Sequence, residues 1–286
     1  MFDGHVDTLL RLGDPDDFHA DSGIHVDASR CREAGVRDLV TAVCAEGESD
    51  WRQALDRGMG NWMALRDVET PHLHLMLEGA EPLARLEDPE PVLADLEMAT
   101  LTWNPANSLA GGVQSDTGLT ASGRDWVRRL ESRGVLLDVS HLCARSRRDL
   151  LSQVEGPVVA SHSNAAGLYD HPRNLPDDDI REIAGRGGLI GITFVPPFLG
   201  EDAGMETIMD HLSYVADLVG TEAVAFGSDF DGIGRLPRGI EGCQSWPEVL
   251  DAMAGRGFTD AEIRAAAAGN WRRLLGSEDR ERGGSP

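Results

Sequence analysis

The sequence predicts a TIM-like (β/α)8 barrel in a single domain. Three observations carry this: eight short apolar, β-branched runs, helix-like stretches between them, and a length of 286 residues that suits one barrel. The strand candidates are Phe2–Asp7, Asp38–Ala45, His72–Gly79, Met98–Asn104, Val135–His141, Pro157–Asn164, Gly188–Val195 and Ala223–Phe230. Helices are expected at Asp50–Val68, Pro91–Leu96, Ser122–Arg133, Arg145–Gln153, Asp177–Arg186 and Glu206–Val219. Ser122 is expected as an N-cap and Gly134 as a stop. Two further helices are expected at Pro247–Met253 and Asp260–Leu275, the second broken at Gly269–Asn270. The barrel is assigned to residues 1–275, and the polar stretch 276–286 is expected to be a disordered tail.

Composition narrows the function. The 26 basic residues face 49 acidic ones, a net charge of −23, which disfavours a nucleic-acid partner. Every basic residue is Arg. Without Lys there is no Schiff base, no P-loop amine and no carbamylated Lys to bridge two metals. Cys31, Cys44, Cys143 and Cys243 form no CxxC pair and are expected as scattered thiols in a reducing compartment, which points to the cytoplasm. No apolar run approaches a membrane span, and neither a signal peptide nor a lipid-anchor signal is expected, so no membrane partner is expected.

Active sites of this fold lie at the C-terminal ends of the strands. Read in order, those ends carry His5 and Asp7, then Glu78, His141, His162 and Asp229. In His5-x-Asp7 the spacing of two puts both side chains on one side of a strand. Three His and two carboxylates suit a borderline cation such as zinc and exceed the three protein ligands of a mononuclear catalytic site, so two metals are expected, bridged by Glu78 in the absence of Lys. Cobalt or manganese suits the same donors. Two cations would supply hydroxide near neutral pH and polarise a scissile carbonyl, while a carboxylate outside the ligand set moves a proton to the leaving nitrogen. Asp229 is the candidate for that step. Arg173 either clamps a substrate carboxylate or pairs with the Asp177–Asp179 run. His72 and His74 begin their strand, at the stability end, and read as structural. His19 and His25 follow the first strand and are weaker site candidates, while His171 and His211 read as surface residues.

The segments DGHVD (3–7), LEG (77–79), DVSH (138–141), SHSN (161–164), RNLPD (173–177), GSDFDG (227–232) and GNWRRLL (269–275) run in order along nearly the whole chain. In them the sequence resembles the membrane (renal-type) dipeptidase family of zinc peptidases. The resemblance implies a barrel with two zinc ions, one held by His5, Asp7 and Glu78, the other by Glu78, His141 and His162. It implies that Arg173 meets the C-terminal carboxylate of a dipeptide, that Asp229 meets the amino end, that a D-residue is accepted at the C-terminal position, and that the chain forms a homodimer. Where the family carries a substrate-contacting His in LTH, this chain reads LTWN: Trp103 offers one N–H there, and Asn104 is the neighbouring candidate for substrate contact. That change, with short loops around the mouth, leaves room for a tailoring hydrolase of a modified amide or lactam. A non-catalytic metal-binding barrel is the reading from another class.

Overall fold

The computed structural model of the chain describes residues 1–19, 23–47 and 49–276; the expected tail from 277 onward lies outside the described residues. Eight strands follow one another around a ring: β1 (Phe2–Val6), β2 (Asp38–Cys44), β3 (His72–Glu78), β4 (Leu96–Thr100), β5 (Leu136–Asp138), β6 (Val158–Ala160), β7 (Leu189–Ile192) and β8 (Val224–Phe226). Each pairs in parallel with the next. A parallel bridge between Val6 and Phe230 joins the last strand to the first, with Asp7 N–H donating to the Phe230 carbonyl at 2.8 Å. The predicted barrel is therefore present, and helices lie between its strands.

All eight strands occur where they are expected, yet β5, β6 and β8 are much shorter than their apolar runs. The runs continue past the ladder because the buried loop beyond it is itself apolar, as at Val139, Leu142, Ala165 and Phe230. His141, His162 and Asp229 consequently stand on these buried loops rather than on strands. The helix expected from Ser122 starts one residue earlier, at Ala121, and Thr120 is its N-cap, with Oγ1 accepting from Gly123 N at 3.0 Å. His211, expected at the surface, is buried: its helix (Met205–Val219) turns that face inward, and Nδ1 accepts from Ala165 N at 3.2 Å.

Alternate strand residues point inward. Phe2, Val40, Ala42, Met76, Met98, Leu136, Val159, Leu189 and Ala225 fill the barrel interior, and Trp271 joins them from the C-terminal helix. That helix is continuous rather than broken, with a π turn over Ala265–Gly269 leading into Asn270–Leu275. The Asn270 amide donates to the carbonyls of Thr221 and Val224, and the Trp271 indole donates to that of Phe226 at 2.9 Å. A Cβ at position 4 would stand 2.2 Å from the indole, so only glycine lets the ring lie against β1. The GNW segment thus stoppers the bottom of the barrel and leaves the opposite mouth for chemistry. His74 also lies near the bottom, stacked on Phe2 and bonded through Nδ1 to Glu97 at 2.9 Å, the structural role expected of it.

Candidate metal centre

The barrel brings His5, Asp7, Glu78, His141 and His162 together at its C-terminal mouth, all of them buried. One oxygen of Glu78, Oε1, is the meeting point: His141 Nε2 lies 2.9 Å away, His162 Nε2 3.5 Å and His5 Nε2 3.6 Å. His141 Nε2 and His162 Nε2 are 2.9 Å apart, and His5 Nε2 is 3.8 Å from Asp7 Oδ2. His5, Glu78 and His162 form one group of donor atoms with the spread a cation needs; His5, Asp7 and Asp229 form a second. His5 Nε2 and Asp7 Oδ1 are buried without a hydrogen-bond partner. Buried polar atoms are nearly always satisfied, so orphaned donor atoms pointing into one space fit a divalent metal.

The electrostatics agree. Burial, reinforced by the charge of Arg173, pushes His141 down to about 4. Burial and the charge of His5 push His162 well below its ordinary value. Both rings are therefore neutral and carry a lone pair for a metal. Burial opposes ionisation of Glu78, but His141 and His5 outweigh it and hold the carboxyl down at about 2. Burial likewise opposes a charge on His5, yet the nearby carboxylates of Asp7, Glu78 and Asp229 raise it to about 10. Without a metal, His5 holds the proton that a cation would displace.

The scaffold that aims these side chains is a pair of similar clamps. Asp3, on β1, accepts the backbone N–H groups of Ser228 (2.8 Å) and His5 (3.3 Å), and its second oxygen accepts the Ser228 hydroxyl. Asp138, on β5, accepts the N–H groups of Ser140 (2.8 Å) and Ser161 (2.9 Å), and its second oxygen accepts the Ser161 hydroxyl. Each clamped serine immediately precedes a site residue, Asp229 or His162. Ser161 Oγ also lies 2.7 Å from His162 Nδ1 and 3.3 Å from His5 Nδ1. These clamps were missed in the sequence; the signal for them is a buried Asp in an otherwise apolar strand, in DGH and LLDVS.

Asp229 has a left-handed backbone (φ 65°), as does Asp231 (φ 68°), and its N–H donates to the His5 carbonyl at 3.0 Å. A Cβ at Gly232 would stand 2.1 Å from Asp7 Oδ2 and 2.3 Å from Asp229 Oδ1, so this glycine lets the two carboxylates crowd together. Burial and the neighbouring charge of Asp7 raise the Asp229 carboxyl well above the ordinary range. The turn is tied down by Asp231, which accepts from Thr8 Oγ1 at 2.7 Å and from His25 N at 2.6 Å, while its own N–H donates to His25 Nδ1. His25 thus touches the rim of the site.

Arg173 is buried, with Nε and Nη2 unpartnered. It does not pair with the acidic run after it: Asp179 takes Arg147, Asp177 takes Tyr214, and Arg181 covers Asp177 and Asp178. Burial lowers the guanidinium to about 10 against the charges of Glu78 and Asp229. The half-buried Asn104 faces His141, its Oδ1 3.0 Å from Nδ1. The half-buried Trp103 lies 6.2 Å from His141 between ring centres and rests on Gly47. Glu46 holds this segment in place, accepting from Trp103 N at 2.9 Å and from the Asn107 amide at 2.5 Å.

Residues 78–283 match the family described as membrane dipeptidase, peptidase family M19. The chain belongs to that family. Among M19 relatives of known structure, dipeptidase AC, a metallopeptidase, is 26% identical, with a TM-score of 0.87 covering 96% of this chain and 97% of that one. A metallopeptidase of Rhodobacter sphaeroides, solved with a phosphinate mimic of the dipeptide L-Ala-D-Ala, is 25% identical, with a TM-score of 0.87 over 96% and 98% of the two chains. An uncharacterized dipeptidase of Schizosaccharomyces pombe is 33% identical over 180 residues, 60% of this chain and 44% of that protein, so the match spans less than half of that relative. Among the described residues of this M19 member, no helix is long and apolar enough to cross a membrane.

Proposed function

We propose that the chain is a binuclear zinc dipeptidase that hydrolyses the amide bond of dipeptides, including those with a D-residue at the C-terminal position. The observation that carries this reading is the convergence of three imidazole Nε2 atoms on Glu78 Oε1, within 3.6 Å at most. His5, Asp7 and Glu78 would hold one ion and Glu78, His141 and His162 the other, with Glu78 shared. When bound, the cations supply Lewis acidity, polarising the scissile carbonyl and making water acidic near neutral pH.

The chain's own residues supply the rest. The unpaired guanidinium of Arg173 takes the C-terminal carboxylate of the substrate, gaining the partners it lacks. Asp229, with its raised affinity for a proton, meets the amino end and passes a proton to the leaving amine. Asn104 acts on His141 in this reading, and Trp103 borders the substrate where the family has a His. The D-residue is supported by the Rhodobacter sphaeroides relative and its L-Ala-D-Ala mimic. The free thiols suit the cytoplasm, and the homodimer rests on the family.

A second substrate is favoured by one observation: Trp103, seated on Gly47, replaces a polar His with a broad apolar ring. A modified amide or lactam would then be the substrate of the same chemistry. The test is a panel of L,L and L,D dipeptides beside blocked amides and lactams, run with zinc-loaded protein. Turnover of the free dipeptides supports the first reading; turnover of the modified amides alone replaces it with the second. A folded, zinc-loaded protein inert to the whole panel sinks both.

A further inference from the structure

Each metal-facing imidazole in this site has its outer nitrogen, Nδ1, directed at a specific oxygen. For His141 that oxygen is Oδ1 of Asn104, at 3.0 Å. For His162 and His5 it is one and the same atom, Ser161 Oγ, at 2.7 and 3.3 Å. His5 belongs to one proposed metal subsite and His162 to the other, and their rings pack with centres 3.8 Å apart.

The direction of these bonds follows from Asp138. An ionised carboxylate only accepts, and Ser161 has a single proton to give. The hydroxyl donates it to Asp138, so the serine oxygen has only lone pairs left for the two rings. Nδ1 of His162 must therefore be the N–H donor, as must Nδ1 of His5. The lone pair of His162 is then forced onto Nε2, and that of His5 likewise once a cation displaces its second proton; in each ring this is the atom that faces Glu78. Asp138 is itself held rigid by the backbone N–H groups of Ser140 and Ser161, so the hydroxyl has little freedom to turn away.

We propose that Ser161, backed by Asp138, is a positioning residue that locks His5 and His162 in the tautomer with Nε2 open to a cation, and so couples the two metal subsites through one hydroxyl. This rests on the binuclear reading above. It sets Ser161 apart from Asn104, which touches a single imidazole. An outer partner of a metal-bound His typically changes metal affinity 10- to 100-fold.

The experiment has two arms. In the first, zinc is titrated into metal-free wild type, Ser161→Ala and Asn104→Ala against a chelating dye. Ser161→Ala is expected to weaken both zinc steps by about 10- to 100-fold, and Asn104→Ala one step only. In the second, ¹⁵N-histidine spectra of the metal-free protein report the tautomers. His162 of the wild type is expected as Nδ1–H. In Asp138→Asn, a change that keeps shape and suits a site where Ser161→Ala fails to fold, the amide donates to Ser161 and frees the hydroxyl proton for Nδ1. His162 is then expected to move toward Nε2–H. A Ser161→Ala protein that loses one step or neither, or a wild-type His162 already in the Nε2–H form, overturns the proposal. Wild type that takes up no zinc overturns the binuclear reading, and the tautomer spectra still decide the lock.

Discussion

The guanidinium carbon of Arg173 stands 5.3 Å from the centre of the Phe198 ring, and among the described residues no carboxylate forms an ion pair with it. A buried cation without a counter-ion is costly to keep. Arg173→Met, which fills similar space with an apolar chain, is expected to cut kcat/KM for dipeptides about 100-fold or more, mostly through KM, because the lost contact binds ground and transition states alike. The same variant is expected to melt no lower than wild type. Steady-state kinetics and a thermal melt on one preparation check both halves; a large drop in Tm would mean that Arg173 serves the fold.

Asp229 invites a cleaner separation of chemistry from binding. Asn is isosteric with Asp and tolerates the left-handed backbone found there. Asp229→Asn is expected to lower kcat by roughly 10²- to 10⁴-fold, the span of a lost general acid–base group. Retention of both zinc ions by elemental analysis would place the loss in proton transfer; loss of zinc along with activity would make Asp229 a ligand, as its position beside His5 and Asp7 permits.

Chelation should be visible in stability as well as in activity. The cluster gathers buried donor atoms that only a cation satisfies, and a ligand bound to the native state alone raises its stability by mass action. Removing metal is expected to lower Tm, and zinc to restore it together with activity. Because His5 is raised to about 10 without metal, uptake at neutral pH is expected to release a proton, measurable as buffer-dependent heat in calorimetry.

The barrel bottom makes a pH prediction of its own. Burial opposes a charge on His74, but the Asp38 carboxylate 3.8 Å away and the hydrogen bond to Glu97 win and raise it from 6.5 to about 9. A folded value above the unfolded one means that the stabilisation is complete below 6.5 and is lost as pH rises through 9. Melting temperature is expected to fall across that interval, and the fall should flatten in His74→Phe. An equally steep fall in the variant would assign the effect elsewhere.

At the same end, Trp271→Ala removes the largest side chain of the inner layer and the bond to the Phe226 carbonyl. A loss of about 3–5 kcal/mol is expected by denaturant titration.

Much of this was legible in the amino-acid order. The eight strands were, because buried parallel strands read as apolar β-branched runs. The meeting of His5, Asp7, Glu78, His141 and His162 was, because charged or imidazole side chains ending such runs are costly without a partner. The strand ends were not: Val139 and Leu142 are as apolar as the ladder, so the run gives no sign that pairing stops at Asp138. Nor was the choice facing Arg173, since sequence proximity favoured Asp177–Asp179 while the fold gave those acids to Arg147, Tyr214 and Arg181. Ser161 and Asp138 escaped notice because their meeting depends on β5 and β6 lying side by side.

The indole that rests on Gly4 has one more effect. With Trp271 and the inner layer closing the floor, the described residues leave the C-terminal mouth as the way in to the proposed site. Both halves of a cleaved molecule must leave by the way the intact one arrives.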